Sequence, residues 1–416
     1  MGDGMDRDAV VVGAGPAGCA AAVLLARGGL RVALVEKGSA PPPKTCGEYL
    51  SPGCLPILDR LGARASLEAR GARPLRGMRI HARNGTASVD AVYPPLAGLS
   101  RAQPWGLSVR REVLDPLLLD LARESGAEFV PGFQASGLLF ERGAVRGVEG
   151  RLDGRPERLS ARLVVGADGR ASVVARRLGE VRRHPRLDKM ARVGYFTGIE
   201  RPEDLGEIFV GAGSYAILNP VGPGLTNVGL VADRLVGDAS AAAADSAVFL
   251  RSAGQVHPAL RTRLTNALAA APVRVLGPLA VRARRLAAPG VLLVGDAAGF
   301  LDPFTGEGLY GALRSAEIAA AEALEKLAES PSTAPLDLSG YQRAWESEFL
   351  PKWRLCNLLQ VAIRRPRISR WIVERLRTRP RAASWILAAA GDLVPTSGLG
   401  PLSLVRFAAT LLGPGR

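Results

Sequence analysis

Residues 8–37 read DAVVVGAGPAGCAAAVLLARGGLRVALVEK, and the fold follows from how this stretch divides. Val10, Val11 and Val12 form one β-branched run, and Val32 and Val35 belong to a second, which suits buried parallel strands. Between them, Gly13-x-Gly15-x-x-Gly18 opens a helix rich in Ala and Leu. In such a turn Gly13 permits the tight bend, Gly15 lets backbone approach a pyrophosphate, and Gly18 lets helix and strand pack closely. Pro16 and Ala17 occupy the helix start, whose N–H groups face the phosphates. Glu36, followed by Lys37, ends the second strand 18 residues after Gly18, where a ribose hydroxyl needs an acceptor. A glycine-rich turn in an ordinary βαβ unit leaves that acid unexplained. The stretch is therefore read as a dinucleotide-binding unit.

The remaining composition narrows the setting. A chain of 416 residues holds two domains, or one with a large insert. It is 47% hydrophobic and 22% charged, as globular proteins are, and carries a net charge of +15, mostly arginine. Such a charge raises nucleic acid, an anionic membrane or acidic substrates as partners. Few lysines and aromatics interleave, and no nucleic-acid module appears, so no nucleic-acid partner is expected. Cys19, Cys46, Cys54 and Cys356 form no CxxC pair and no metal spacing, so a reducing cytoplasm and no metal are expected. The first residues, MGDGMDRD, do not read as a signal peptide, and no apolar run is long enough to span a bilayer.

Further along, residues 38–43 read as a Ser/Pro loop and residues 55–61 as a short helix. Residues 75–110 read as strands with turns, Asn84-Gly85 among them. LDPLLLDLARE, residues 114–124, is an amphipathic helix closed by Gly126. Residues 127–165 suggest a small antiparallel set that ends in an apolar strand and the turn Gly166-Ala167-Asp168-Gly169. Residues 190–285 alternate as strands, with one helix around 239–253, and read as an inserted substrate domain. Then an apolar strand runs into Gly295-Asp296, followed by Asp302-Pro303-Phe304-Thr305-Gly306-Glu307-Gly308 and a helix over 309–329. The expected division is a nucleotide-binding domain in three parts, 1–80, 111–185 and 286–330. Substrate-domain segments fill 81–110 and 186–285, and a basic helical region fills 331–416. Between Pro351 and Arg381 lie ten basic residues and one acid, Glu374, interleaved with Trp353, Trp371 and several Leu and Ile. A basic amphipathic helix of this kind either packs on the substrate domain or lies on a membrane surface.

Three glycine-and-aspartate turns therefore follow apolar strands: 13–18, 166–169 and 295–296. Strand C-termini converge at one edge of a doubly wound sheet, where one extended dinucleotide can touch all three. With these motifs in this order, the chain resembles the class A flavoproteins, the glutathione-reductase-like Rossmann group of aromatic hydroxylases, epoxidases, halogenases and geranylgeranyl reductases. The resemblance covers residues 8 to about 325. It implies an FAD-binding Rossmann domain with an inserted mixed-sheet substrate domain and a helical tail. Gly13, Gly15, Gly18 and Glu36 would hold the ADP half of FAD. Arg111, four before Asp115, would reach the phosphate region, and Asp168 and Gly169 fall in the family's DG turn. Gly295 and Asp296 would meet the ribityl chain. Pro303, Thr305, Gly306, Glu307 and Gly308 would run past the isoalloxazine, with a helix N-terminus stabilising its reduced form. Only one fingerprint is present, so NADH or NADPH would dock transiently.

Local matches point to the geranylgeranyl-reductase-like subfamily. Residues 302–308 resemble its NPLTGEG stretch, and Thr45-Cys46-Gly47-Glu48 resembles KxCGG with Glu at the last position. Tyr215-x-Ile217-x-Asn219-Pro220 falls where the reductases carry YxWxFP, with Ile for Trp and Asn for Phe. The leading expectation is an NAD(P)H- and O2-dependent monooxygenase. It would hydroxylate or epoxidise a hydrophobic aromatic, polyketide or prenylated metabolite, with Cys46, Glu48 and Tyr215 as candidate catalytic residues. The alternative is reduction of isoprenoid double bonds. A halogenase is disfavoured: no WxWxIP motif is present, and Lys44 and Lys189 sit in no activating context. His81, His184 and His257 are expected to be bystanders.

Overall fold

The computed structural model describes residues 7–41, 44, 46–82, 87–94, 105–179, 181–184, 187–233, 245–330, 334–395, 398, 400 and 409–410. The Asn84-Gly85 turn, Thr45, residues 42–43 of the Ser/Pro loop and the 239–244 part of the expected helix lie outside them.

The chain begins with β1 (Arg7–Val12), α1 (Pro16–Arg27) and β2 (Val32–Glu36). Pro16, whose φ is already helical, starts α1 directly after Gly15. Ala17, Ala20, Ala21 and Ala22 of α1 are buried. The chain then leaves for a second sheet with β3 (Gly77–His81) and β4 (Ser88–Val92), and returns through α2 (Arg111–Glu124) to β5 (Glu128–Pro131). A hairpin, β6 (Phe133–Glu141) and β7 (Ala144–Leu152), leads to β8 (Arg155–Gly166). The second sheet is completed by β9 (Lys189–Thr197), β10 (Leu205–Val210), β11 (Ser214–Gly222) and β12 (Leu225–Asp233). Last come β13 (Val291–Leu293), α3 (Glu307–Glu329) and the tail helices α4 (Ser339–Ile363), α5 (Pro366–Arg377) and α6 (Pro380–Ala390).

The first sheet runs parallel in the order β13-β8-β1-β2-β5, so β1 sits between β8 and β2 and the three glycine turns share one edge. The expectation of an antiparallel set over 127–165 needs correction at both ends. Glu128–Pro131 joins the parallel sheet, and β8 is shared: its first half pairs antiparallel with β7 and its second half parallel with β1. One long strand thus serves two neighbours, which alternation alone does not reveal.

The second sheet has the order β9-β12-β11-β10-β3-β4, parallel only between β10 and β3. Its strands have two faces because side chains alternate. Phe196, Phe209, Leu218 and Leu230 pack on one side against Phe249 and Leu260 of the helices Ser246–Val256 and Pro258–Arg263. Their neighbours in sequence, Val193, Ile208, Ile217, Gly229 and Val231, face a cavity on the other side. This sheet starts at Gly77, before the expected boundary at 81. Val181–Arg183, Val281–Ala283 and Gly299–Phe300 form a small sheet across the expected boundaries at 185 and 285. The segments of the two domains are therefore stitched together rather than linked end to end.

α5 and α6 pack on β3 and β4 through Met78, Val89, Ala91, Val373, Leu376 and Leu387. The apolar side of the basic tail thus covers the substrate sheet. Lys352 of α4 and Ser51 both bond Asp392, at 2.7 and 2.6 Å, and so fasten the tail to the first domain.

Candidate functional site

The glycine turn has three distinct steric roles. Gly13 has φ +102°, and a Cβ there would lie 2.6 Å from the Ala167 carbonyl oxygen. A Cβ on Gly18 would lie 1.8 Å from the Gly13 oxygen, so helix and strand approach each other only because it is absent. Gly15 is different: the nearest atom to its missing Cβ is Lys44 Nζ, at 3.3 Å, and the position opens into the cavity. α1 begins here with no side-chain cap on its first turn, which leaves its N–H groups for an anion. Glu36 Oε2 accepts from Ala14 N at 2.9 Å and Oε1 from Lys37 N at 3.1 Å, so the acid also clamps the turn. The Lys37 side chain is exposed and outside the cavity lining.

One continuous cavity runs from this turn to the tail. Gly15, Pro16, Ala17, Gly169, Asp296 and Arg111 line one end. Pro303, Thr305, Gly306 and Gly308 form its middle, with Cys46 and Glu48 opposite. Met78, Ile80, Ile208, Val210, Ile217 and Val231 continue it, and Leu359, Ile363, Ile372, Val373 and Leu387 close it. The far part is apolar in nearly every side chain, as a site for a greasy ligand requires.

Residues 46–48 are held from four directions. Asn219 Nδ2 donates to the Gly47 carbonyl at 2.7 Å, and Asn227 Nδ2 to the Cys46 carbonyl at 3.1 Å. Glu48 sits at φ 54°, with its Oε1 accepting from Arg111 N at 3.0 Å and from the Tyr195 hydroxyl. Its Oε2 is buried without a hydrogen-bond partner. Burial raises its pKa to about 7 despite the Tyr195 and Arg111 hydrogen bonds that oppose the shift. Burial also pushes the Cys46 thiol up, so it stays protonated and is a poor nucleophile. Its exposed surface faces the cavity.

The structure places other expected residues in supporting positions. Tyr215 is fully buried, and its hydroxyl donates to Asp302 Oδ1 at 2.5 Å. It does not line the cavity: it shares the strand face of Ile217 but is covered by Asp302 and Phe304. Arg111 holds Asp115 through two bonds of 2.6 and 2.7 Å and still borders the cavity. Asp168 Oδ2 accepts from Val173 N at 2.6 Å, at the start of a short helix, while its Oδ1 has no partner. Gly295 donates its N–H to Ser315 Oγ at 2.8 Å, which fixes the turn before Asp296. Glu307 turns toward a smaller pocket beside Trp345, Phe349 and Trp353, not toward the main cavity. Burial, assisted by nearby Asp392, lifts its pKa to about 7. His81 bonds Glu207 and His257 bonds the Ala82 carbonyl, both as packing partners away from the cavity.

The sequence reading missed several participants. Lys44 and Arg170 line the dinucleotide end, and Tyr195 holds Glu48. Asp302 is a hub for Tyr215, Gln360, Phe304 N and, at 3.3 Å, the buried Lys189. A lone lysine after a proline-rich loop was the only available signal for Lys44. Nothing local marked Gln360, which lies on a tail helix.

The FAD binding domain family matches residues 6–337. A digeranylgeranylglycerophospholipid reductase of Methanopyrus kandleri is 31% identical over 354 residues, covering 83% of each chain. A tryptophan 2-halogenase of Chondromyces crocatus is 30% identical over 354 residues, 83% of this chain and 66% of the halogenase. The crystal structure of a flavoprotein/dehydrogenase from Cytophaga hutchinsonii superposes with a TM-score of 0.84 at 19% identity, over 98% of this chain and 99% of that one, a likeness of fold.

Proposed function

The chain belongs to the FAD binding domain family and is an FAD-dependent oxidoreductase, and on that premise we propose that it oxygenates an apolar small molecule held between the 46–48 loop and the tail helices. The residues present suit the cofactor. Gly15 leaves open the space a pyrophosphate needs, with Lys44 beside it, and Glu36 and Asp296 supply carboxylates for hydroxyl groups. The 303–308 segment and the N-terminus of α3 would border the ring system. Bound there, FAD would supply two-electron redox chemistry, with NADH or NADPH as the proposed electron donor.

The observation that carries this reading is the continuity of the cavity: its cofactor end opens directly into an apolar chamber walled by the substrate sheet and the tail. Such a chamber keeps water from the reacting atoms. The overall change would be substrate, O2, NAD(P)H and a proton giving the oxygenated product, water and NAD(P)+.

Glu48 favours a second reading. Reducing a carbon–carbon double bond requires one proton for each hydride delivered. Glu48 is a carboxyl that lines this chamber with a pKa near the working range and an oxygen free of partners. It would give its proton to the carbon that turns negative and take another from water as the product leaves. Halogenation finds no support in the lysines, because Lys189 is engaged by Asp302 and Gln360 and Lys44 lies at the glycine turn.

Holoprotein incubated with NAD(P)H and a hydrophobic cell extract under 18O2, beside an anaerobic control, separates the readings. A product carrying one labelled oxygen, absent without O2, supports oxygenation. A product heavier by two hydrogens, formed equally without O2, establishes reduction and overturns it.

A further inference from the structure

The tail helices have a second side. Arg354, Leu358 and Val361 follow one another at helical spacing along α4 and are all exposed, Leu358 by 55% and Val361 by 49%. Past the α4–α5 bend, the exposed Arg365, Arg367 and Ile368 extend the same stretch. Three of the six exposed large apolar side chains among the described residues, Leu358, Val361 and Ile368, fall within this one stretch. Trp371, half-exposed, lies next along α5 with the Arg375 guanidinium 5.7 Å from its ring. The one acid of this stretch, Glu374, is held by Arg370 at 2.7 Å.

The same helices also wall the cavity, through Leu359, Ile363, Ile372 and Val373. A single layer of helix therefore separates the apolar chamber from a surface that is both greasy and positive. We propose that this surface, centred on Leu358, Val361, Ile368, Arg365 and Arg367, docks the protein on an anionic lipid bilayer.

Three features point to a bilayer as the occupant. Apolar side chains alternate with arginines whose stems can lie along acyl chains while their heads reach phosphates, the pattern of an interfacial helix. The sign of the charge complements an anionic leaflet, where each arginine strengthens binding about fivefold. No described helix is long and apolar enough to cross a membrane, so the contact would be peripheral. The proposal concerns the outer surface and stands whether the chamber oxygenates or reduces its substrate.

Co-sedimentation of the full-length holoprotein with vesicles tests it. One set is phosphatidylcholine alone, and the other contains about one-third phosphatidylglycerol. The protein is expected to sediment with the anionic vesicles, to remain in solution with the neutral ones, and to be released by raised salt. Two variants, L358S/V361S/I368S and R365E/R367E, should each weaken binding about tenfold or more. Because these side chains are exposed, both should keep their flavin absorbance and melting temperature. Failure to bind anionic vesicles, or undiminished binding by both folded variants, overturns the proposal. So does a dimer in solution that the triple variant dissociates, since the surface would then serve a second copy of the chain.

Discussion

Tyr195 and Glu48 join the two domains at the cavity: the tyrosine hydroxyl, from β9 of the substrate sheet, donates to one carboxyl oxygen, and the other oxygen is buried without a partner. Burial makes this carboxyl resist ionisation despite the tyrosine bond, and that has consequences for stability and activity.

Stability should fall as pH rises through the acidic range. Glu48 titrates near 7 in the fold against 4.5 for the ordinary side chain. Because the folded value is raised, the unfolded chain gives up its proton first. The contribution is thus intact below about 4.5 and lost as pH approaches 7. Glu307 acts in the same direction over the same range. Glu48→Gln keeps an oxygen for Arg111 and Tyr195 but removes the titration. It should therefore gain on the order of 2 kcal/mol over wild type at pH 8 relative to pH 4, read by urea denaturation at both values. An identical pH dependence in the variant would refute the raised pKa.

Two glycine substitutions should part company. Gly18→Ala forces a methyl group into the Gly13 carbonyl and should yield no folded yellow protein. Gly15→Ala meets only the flexible end of Lys44. It should fold with a nearly unchanged melting temperature while its affinity for FAD drops at least about tenfold, measured by flavin fluorescence. Equal flavin binding in Gly15→Ala and wild type would remove the phosphates from this turn.

Asp302 and Lys189 form a buried ion pair, so losing one partner leaves the other uncompensated. Asp302→Ala should cost about 3–5 kcal/mol of unfolding free energy. Lys189→Met with Asp302→Leu should recover part of it, and a double-mutant cycle gives the coupling.

Cys46 should prove dispensable. Its raised pKa predicts alkylation by iodoacetamide at pH 8 that is much slower than that of a free thiol. Cys46→Ser should retain flavin and turnover within about threefold, since a serine hydroxyl can also accept from Glu48 N. Loss of turnover with flavin intact would return Cys46 to the catalytic candidates.

Asn219→Phe restores the aromatic residue that the resemblance leads one to expect. It should loosen the 46–48 loop, because the Asn219 amide holds the Gly47 carbonyl. A cost of about 1–3 kcal/mol is expected, with faster amide exchange at Gly47 and Glu48.

The sequence by itself determined the dinucleotide turn, the parallel strands around it and the order of the three glycine-and-aspartate motifs. Each is a local pattern: β-branched runs for buried strands, glycine where backbones touch, an acid at a strand end. It also marked Glu48 and the amphipathic, basic character of the tail. Only the tertiary structure decided which of two alternating faces each substrate strand turns to the cavity. A shift of one residue exchanges Ile217 for Ala216, and the packing of Phe196 and Phe209 against Phe249 of the covering helix fixes that choice. It likewise decided that Glu307 turns away from the main cavity, that β8 divides between two pairings, and that the tail walls the chamber. Asp302 and Gln360 are 58 residues apart, as are many pairs that never meet. Their contact depends on where α4 lies across the fold, and burial of the whole chain sets that position.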